Sequence, residues 1–193
     1  MDYIKNALVK AFLLTEEVMK SDDTSRFIDE FSRIIADVFT NNGKVLICGN
    51  GGSAADAMHF AEEFTGRFRK DRRPLPVMAL ADPAYITCVA NDYGFNEIFA
   101  RGVQAWGKPG DLLIGLSTSG NSENVIKAVQ EAIKLKMRTV TLLGKDGGKL
   151  KDMADLQILI PGETTDRIQE IHLLLLHIVI EQVERFLFPE NYR

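Results

Sequence analysis

A histidine and a glutamate four residues apart, His59 and Glu63, lie in the stretch "CGNGGSAADAMHFAEEF" at 48–64. On a helix, positions i and i+4 share one face, so the pair could bind a metal ion or move a proton. Such a pair is also an ordinary surface hydrogen bond and decides nothing alone. Just upstream, Gly49, Gly51 and Gly52 let backbone N–H groups approach an anion, and the helix start that follows adds a favourable dipole. A second segment, "STSGNSEN" at 117–124, places Ser117, Thr118, Ser119 and Ser122 around one glycine. One Ser or Asn would suffice to cap a helix. Four hydroxyls in six residues fit a phosphate monoester better, with no need for Lys or Arg.

The other two histidines, His172 and His177, lie in "RIQEIHLLLLHIVI" at 167–180. Buried polar groups need partners. Gln169, Glu170, His172 and His177 in an otherwise apolar helix are therefore expected to face a site or an interface, with a satisfied core histidine as the plainer reading. The first glycine loop also fits the dinucleotide form G-x-G-x-x-A through Gly49, Gly51 and Ala54. The acid that form requires about 20 residues on is missing; Asp82 comes later and reads as a helix cap.

These segments need a scaffold. Short continuous apolar runs at 44–48, 76–80, 111–117, 138–144 and 156–160 read as buried parallel strands. Helical patterns lie between them near 53–66, 84–90, 95–105 and 122–136, with a long one from about 164 to 187. Asp82-Pro83 marks the start of the second of these. The alternation predicts an α/β fold, a doubly wound five-stranded parallel sheet flanked by helices, with ligands beyond the carboxyl ends of the strands. Two further helices precede it. Ile4, Leu8, Phe12 and Val18 follow helical spacing in the first, and Phe27, Phe31, Ile34, Ile35 and Val38 form an apolar face in the second. These two would suit subunit packing.

Composition excludes some classes. A net charge of -4 gives no footprint for nucleic acid. The basic cluster "GRFRKDRRP" at 66–74 reads as a solvated loop. Cys48 and Cys88, both in apolar contexts, read as buried free thiols. The most apolar segment, 171–180, is about half the length of a membrane span. No secretory signal opens the sequence, and the cytoplasm is the expected location, with no membrane partner.

Taken together, "GKVLICGNGGSAADAMHFAEEFTGRF", "VANDYGFNEIFAR", "GDLLIGLSTSGNSENVIKA", "LLGKDGGKL" and "DRIQEIHLLLLH" resemble the phosphoheptose isomerases of the phosphosugar-binding SIS-domain family. The resemblance runs over essentially the whole chain. It implies one SIS domain over 1–193 with flavodoxin-like layering, a helical pair at 1–42 and an α/β core at 43–193. It further implies a homotetramer with active sites between subunits, and a zinc ion held by residues matching His59, Glu63, Gln169 and His177. Implied sugar-phosphate contacts are Asn50, Gly51, Gly52, Ser53, Glu63, Asn91, Asp92, Ser117, Thr118, Ser119, Ser122, Asp166 and Gln169. The implied reaction converts D-sedoheptulose 7-phosphate to D-glycero-D-manno-heptose 7-phosphate through an enediol(ate). Moving a proton between C1 and C2 needs a base and an acid; Glu63 is the best base candidate and His177 the best acid, and a zinc ion could instead polarise the carbonyl and stabilise the enediolate. Gln169 and His177 are eight apart, a rise of roughly 12 Å on a regular helix. One zinc site then requires either a distorted helix or residues from different subunits. The alternative is a non-catalytic SIS protein that binds a replication initiator or senses phosphosugars. The initiator-binding branch lacks residues matching Glu63 and His177, and both are present here.

Overall fold

The computed structural model describes residues 2–193. Two helices, α1 (Asp2–Lys20) and α2 (Asp22–Thr40), precede β1 (Val45–Gly49) and α3 (Gly52–Thr65). Then come β2 (Val77–Ala79), α4 (Pro83–Tyr93), a 3-10 turn at Phe95–Glu97, α5 (Ile98–Trp106), β3 (Leu112–Ser117) and α6 (Glu123–Lys134). The chain continues through β4 (Arg138–Gly144), β5 (Leu156–Ile160) and α7 (Thr165–Leu187). The strands form one parallel sheet in the order β2-β1-β3-β4-β5. This is the expected doubly wound arrangement, and each predicted strand lies within two residues of its observed bounds.

Alternation along the strands divides the core into two layers. Val45, Ile47, Leu112, Ile114, Leu116, Val140 and Leu142 face α2, α3 and α7. Leu46, Cys48, Leu113 and Leu143 face the layer of α5 and α6. Phe27, Phe31, Ile34, Ile35 and Val38 of α2 are buried as predicted.

On α1 the outcome differs. Leu14 and Val18 are buried, whereas Leu8 and Phe12 are 68% and 64% exposed. Among the described residues, only the C-terminal half of that stripe is buried. Cys48 is buried, but Cys88 is exposed, because only Val89 of α4 is buried. Asp82 caps α4 as expected, accepting from Tyr85 N at 2.7 Å. That helix runs three residues past its predicted end and stops at Gly94, whose φ of +93° suits glycine. Asn91 and Asp92 therefore ride on its last turn. Among the described residues no helix is long and apolar enough to cross a membrane.

Candidate active site

The chain order reverses between β1 and β3, which neighbour each other with Gly49 opposite Leu116. Such a switch point opens a crevice beyond the strand ends. The glycine loop and the hydroxyl loop both start there and enclose a cavity of about 270 Å³. Its lining is Asn50, Gly51, Gly52, Ser53, Leu116, Ser117, Thr118, Ser122, Thr165 and Gln169, with no Lys or Arg. The starts of α3, α6 and α7 all meet this cavity, bringing three positive helix ends to one place.

Local sequence explains the fit. Gly51 has φ +56°, a conformation glycine adopts at little cost. A Cβ on Gly52 would lie 2.5 Å from Gln169 Oε1, so any larger residue would push that amide out of its present place in the cavity. Ser122 occupies the N-cap of α6, yet makes no capping bond; its Oγ lies 3.0 Å from Ser117 Oγ instead. The hydroxyl is thus not spent on the helix. Asn50 and Asn124 exchange two amide hydrogen bonds of 2.8 Å, tying the two loops together.

The second cluster lies further along α3 and α7. Ligand atoms of His59, Glu63 and His177 fall within 4.8 Å of one another. His59 Nε2 and His177 Nε2 are 2.9 Å apart, and His59 Nε2 is 3.6 Å from Glu63 Oε1. Two ring nitrogens this close need a proton or a cation between them. His59 Nδ1 lies 3.1 Å from Glu62 Oε1, which favours the proton on Nδ1 and turns Nε2 towards the cluster. A carboxylate behind a ligating imidazole is the usual support of a metal site. Phe68 stacks on His177 with centroids 6.1 Å apart at 22°. Burial raises the pKa of Glu63, helped by Glu62 and Glu184. Burial lowers that of His177, helped by His59. One turn before His59, burial pushes Asp56 up to about 6, and its Oδ2 has no partner.

Residues 11–144 match the family model described as the SIS domain. A phosphoheptose isomerase of Fusobacterium nucleatum is 58% identical over 181 residues, covering 94% of this chain and 93% of its relative. The chain belongs to the phosphoheptose isomerases of the SIS-domain family. The solved structure of a phosphoheptose isomerase from Francisella tularensis superposes with a TM-score of 0.91 at 36% identity, over 95% of this chain and 97% of that one. That of phosphoheptose isomerase GmhA from Neisseria gonorrhoeae gives 0.86 at 38% identity, with the same coverage.

In this phosphoheptose isomerase relative, not every predicted residue meets within one chain. Asn50 to Ser53, Ser117, Thr118, Ser122 and Gln169 line the cavity. Ser119 does not; its Oγ accepts from Asn121 N at 3.2 Å. Asn91 and Asp92 are exposed and bonded to each other at 2.7 Å. Asp166 is exposed beside Arg167, its pKa lowered chiefly by a hydrogen bond with Thr164. Gln169 reaches Ser53 Oγ at 3.5 Å, within a helix that is regular over its whole length. His172 is the core histidine of the plainer reading: fully buried, it meets Leu143 O at 3.1 Å. Sequence reading missed Thr165 in the cavity, Glu62 behind His59, and Asn124 behind Asn50. It also misjudged the loop at 66–74. Arg72 there is buried against Glu184 rather than solvated, because α3 and α7 leave a polar gap that its long side chain fills.

Proposed function

We propose that the chain is a ketose–aldose isomerase that converts D-sedoheptulose 7-phosphate to D-glycero-D-manno-heptose 7-phosphate. The observation that carries this reading is the succession of two sites along the α3–α7 seam. Ser53 meets Gln169 at the cavity, and His59 and Glu63 meet His177 further on. The offset along the helices is six residues on α3 and eight on α7, or roughly 9 to 12 Å. A phosphoester at C7 of an open heptulose lies eight bonds from C1, about 10 Å at roughly 1.2 Å per bond. With phosphate in the cavity, C1 and C2 reach Glu63 and His177.

The steps follow from the side chains. The hydroxyls of Ser53, Ser117, Thr118 and Ser122 and the helix starts hold the phosphate. Glu63, made more basic by its partly desolvated position, takes a proton from C1 and returns it to C2. His177 moves a proton at the O1 and O2 oxygens of the intermediate enediol. Burial and the neighbouring His59 favour its neutral form, which carries one donor and one acceptor nitrogen. Phe68 shields one face of that imidazole from water.

The donor set fits zinc: two imidazoles and a carboxylate within bonding reach of one centre, with Glu62 behind His59. When bound, the ion would polarise the carbonyl and stabilise negative charge on the oxygens. Gln169, the fourth residue of the implied set, is turned to Ser53 in its own chain, so it would join such a centre only across a subunit boundary. An assembly agrees with the exposed stripe on α1, where Tyr3, Ile4, Leu8 and Phe12 await a cover. We assign this stripe to a homotetramer of a cytoplasmic enzyme that begins ADP- or GDP-heptose synthesis for surface glycans such as lipopolysaccharide. Incubating the protein with sedoheptulose 7-phosphate, with and without a chelator, and following the sugar by NMR tests substrate, reaction and metal together. No aldose signal in the untreated sample would overturn the reading.

A further inference from the structure

The segment after α3 lies across one face of α7. Phe68 stacks on His177, Arg69 pairs with Glu181 at 2.8 Å, and Arg72 pairs with Glu184 at 2.8 Å. Positions 177, 181 and 184 are i, i+4 and i+7 of one helix stripe. The last pair is unlike the others, because both side chains are only 1% exposed. Arg72 Nη2 also donates to the carbonyl of Glu63 at 2.6 Å, and Nη1 to that of Phe64 at 2.7 Å. Further contacts reach Gly66 O at 3.2 Å and Arg73 O at 3.3 Å. Glu184 keeps its second oxygen occupied by accepting from Tyr192 Oη at 2.7 Å.

The last carbonyls of a helix have no partner within it. Here one planar guanidinium donates to two of them, those of Glu63 and Phe64, and, with its Nε, grips a carboxylate on α7. Buried ion pairs of this kind are often no more stabilising than apolar residues of the same volume. What they fix is geometry. The carbonyl that Arg72 holds belongs to Glu63 itself, and Glu184 lies two turns beyond His177 on the same helix stripe.

We propose that Arg72 and Glu184 are positioning residues for the reacting cluster: their ion pair sets the separation of α3 and α7 at which His59, Glu63 and His177 converge. The inference rests on the reading of that cluster as the metal-holding and proton-moving centre. A misplacement of about 1 Å at such a centre can cost roughly 100-fold in rate.

The test uses the full chain and compares wild type with Arg72→Met/Glu184→Met, Arg72→Lys and Leu113→Ala. The double variant removes both charges together, so neither is left stranded. Arg72→Lys keeps the charge but not the fork. Leu113→Ala opens a cavity on the opposite face of the sheet, and serves as a measure of general loosening. Zinc affinity is read by competition with a chromophoric chelator, and kcat and KM on sedoheptulose 7-phosphate. The double variant is expected to unfold at a lower temperature than wild type, because the carbonyl of Glu63 loses its donor, but to remain folded at the assay temperature and to bind zinc about 10- to 100-fold more weakly. Its kcat should fall while KM stays near wild type, since the phosphate cavity is untouched. Arg72→Lys should recover only part of the affinity, and Leu113→Ala should lose stability without losing zinc. Wild-type zinc affinity and kcat in the folded double variant would overturn the proposal. So would an equal loss in Leu113→Ala. If the double variant does not fold, Arg72→Lys decides: wild-type affinity and kcat there overturn it. The wild-type protein judges the enzymatic reading separately. Binding of zinc without turnover, or turnover without zinc, counts against that reading and leaves the other measurement to compare the variants.

Discussion

Asn50 and Asn124 hold each other by two amide hydrogen bonds, each 2.8 Å, across the mouth of the crevice between β1 and β3. Asn124 Oδ1 also accepts from Val125 N at 3.0 Å, so the pair is anchored to the first turn of α6. The side chain of Asn50 is thereby committed to the neighbouring loop, and its contribution to a ligand is the shape of the glycine loop. Asn124→Ala should raise KM for the sugar phosphate about tenfold with little change in kcat. It should also cost about 1–3 kcal/mol for the amide left unpaired. Steady-state kinetics and urea unfolding measure the two effects, and an unchanged KM would dismiss the tie between the loops.

Ser122 offers a cleaner separation of binding from stability. Its hydroxyl meets Ser117 Oγ and makes no capping bond. An ordinary N-cap serine costs about 1 kcal/mol on truncation to alanine. Ser122→Ala should cost less than about 0.5 kcal/mol, the range of substitutions that break no structural feature. Substrate affinity should nevertheless fall severalfold, as seen by calorimetry on a catalytically dead background. A full capping penalty with unchanged affinity would return this hydroxyl to the helix.

The proton-moving pair makes the most direct claim on chemistry. Glu63→Gln keeps the size of the side chain and removes the base. His177→Ala removes the proposed acid and one of the clustered nitrogens. Each should lower kcat by about 100- to 10,000-fold, with the oligomeric state on a sizing column unchanged. Full turnover in both variants would remove them from the mechanism.

His172 links the core to pH. Burial lowers its imidazolium pKa from 6.5 to about 4, against a smaller opposing effect from the Leu143 carbonyl. Between those values the unfolded chain binds more protons than the native one, so stability falls as pH drops through that window. The complete loss is about 3 kcal/mol. In His172→Gln, whose amide can still donate to Leu143 O, urea midpoints at pH 7 and pH 4.5 should differ much less than in wild type. An equal acid loss in the variant would place the titration elsewhere.

Much of this structure is readable from residue order. Continuous apolar runs such as 111–117 mark strands covered on both faces. The glycines at 49–52 and the hydroxyls at 117–122 announce an anion cavity, because few other uses need those types together. Burial of charge is what the sequence conceals. "FRKDRRP" shows basic residues but not that Arg72 alone turns inward, since its partner Glu184 is 112 positions away. Cys88 sits among apolar letters and is exposed, because α4 lies at the rim with one buried residue. Ile4, Leu8 and Phe12 follow a perfect helical spacing, yet they stay exposed among the described residues. Periodicity tells that a face is apolar, and not what lies against it.

Three helix starts and a ring of hydroxyls line the cavity without one formal positive charge. Such a lining offers donors in excess of acceptors, and so favours the form of a phosphoester that carries no proton. The second ionisation of an alkyl phosphate falls near pH 6. Below that pH the ligand itself gains an O–H that competes for the same space. An acid-side decline in kcat/KM would then carry the titration of the sugar phosphate together with that of the enzyme's own side chains, among them Asp56, which burial pushes up to about 6.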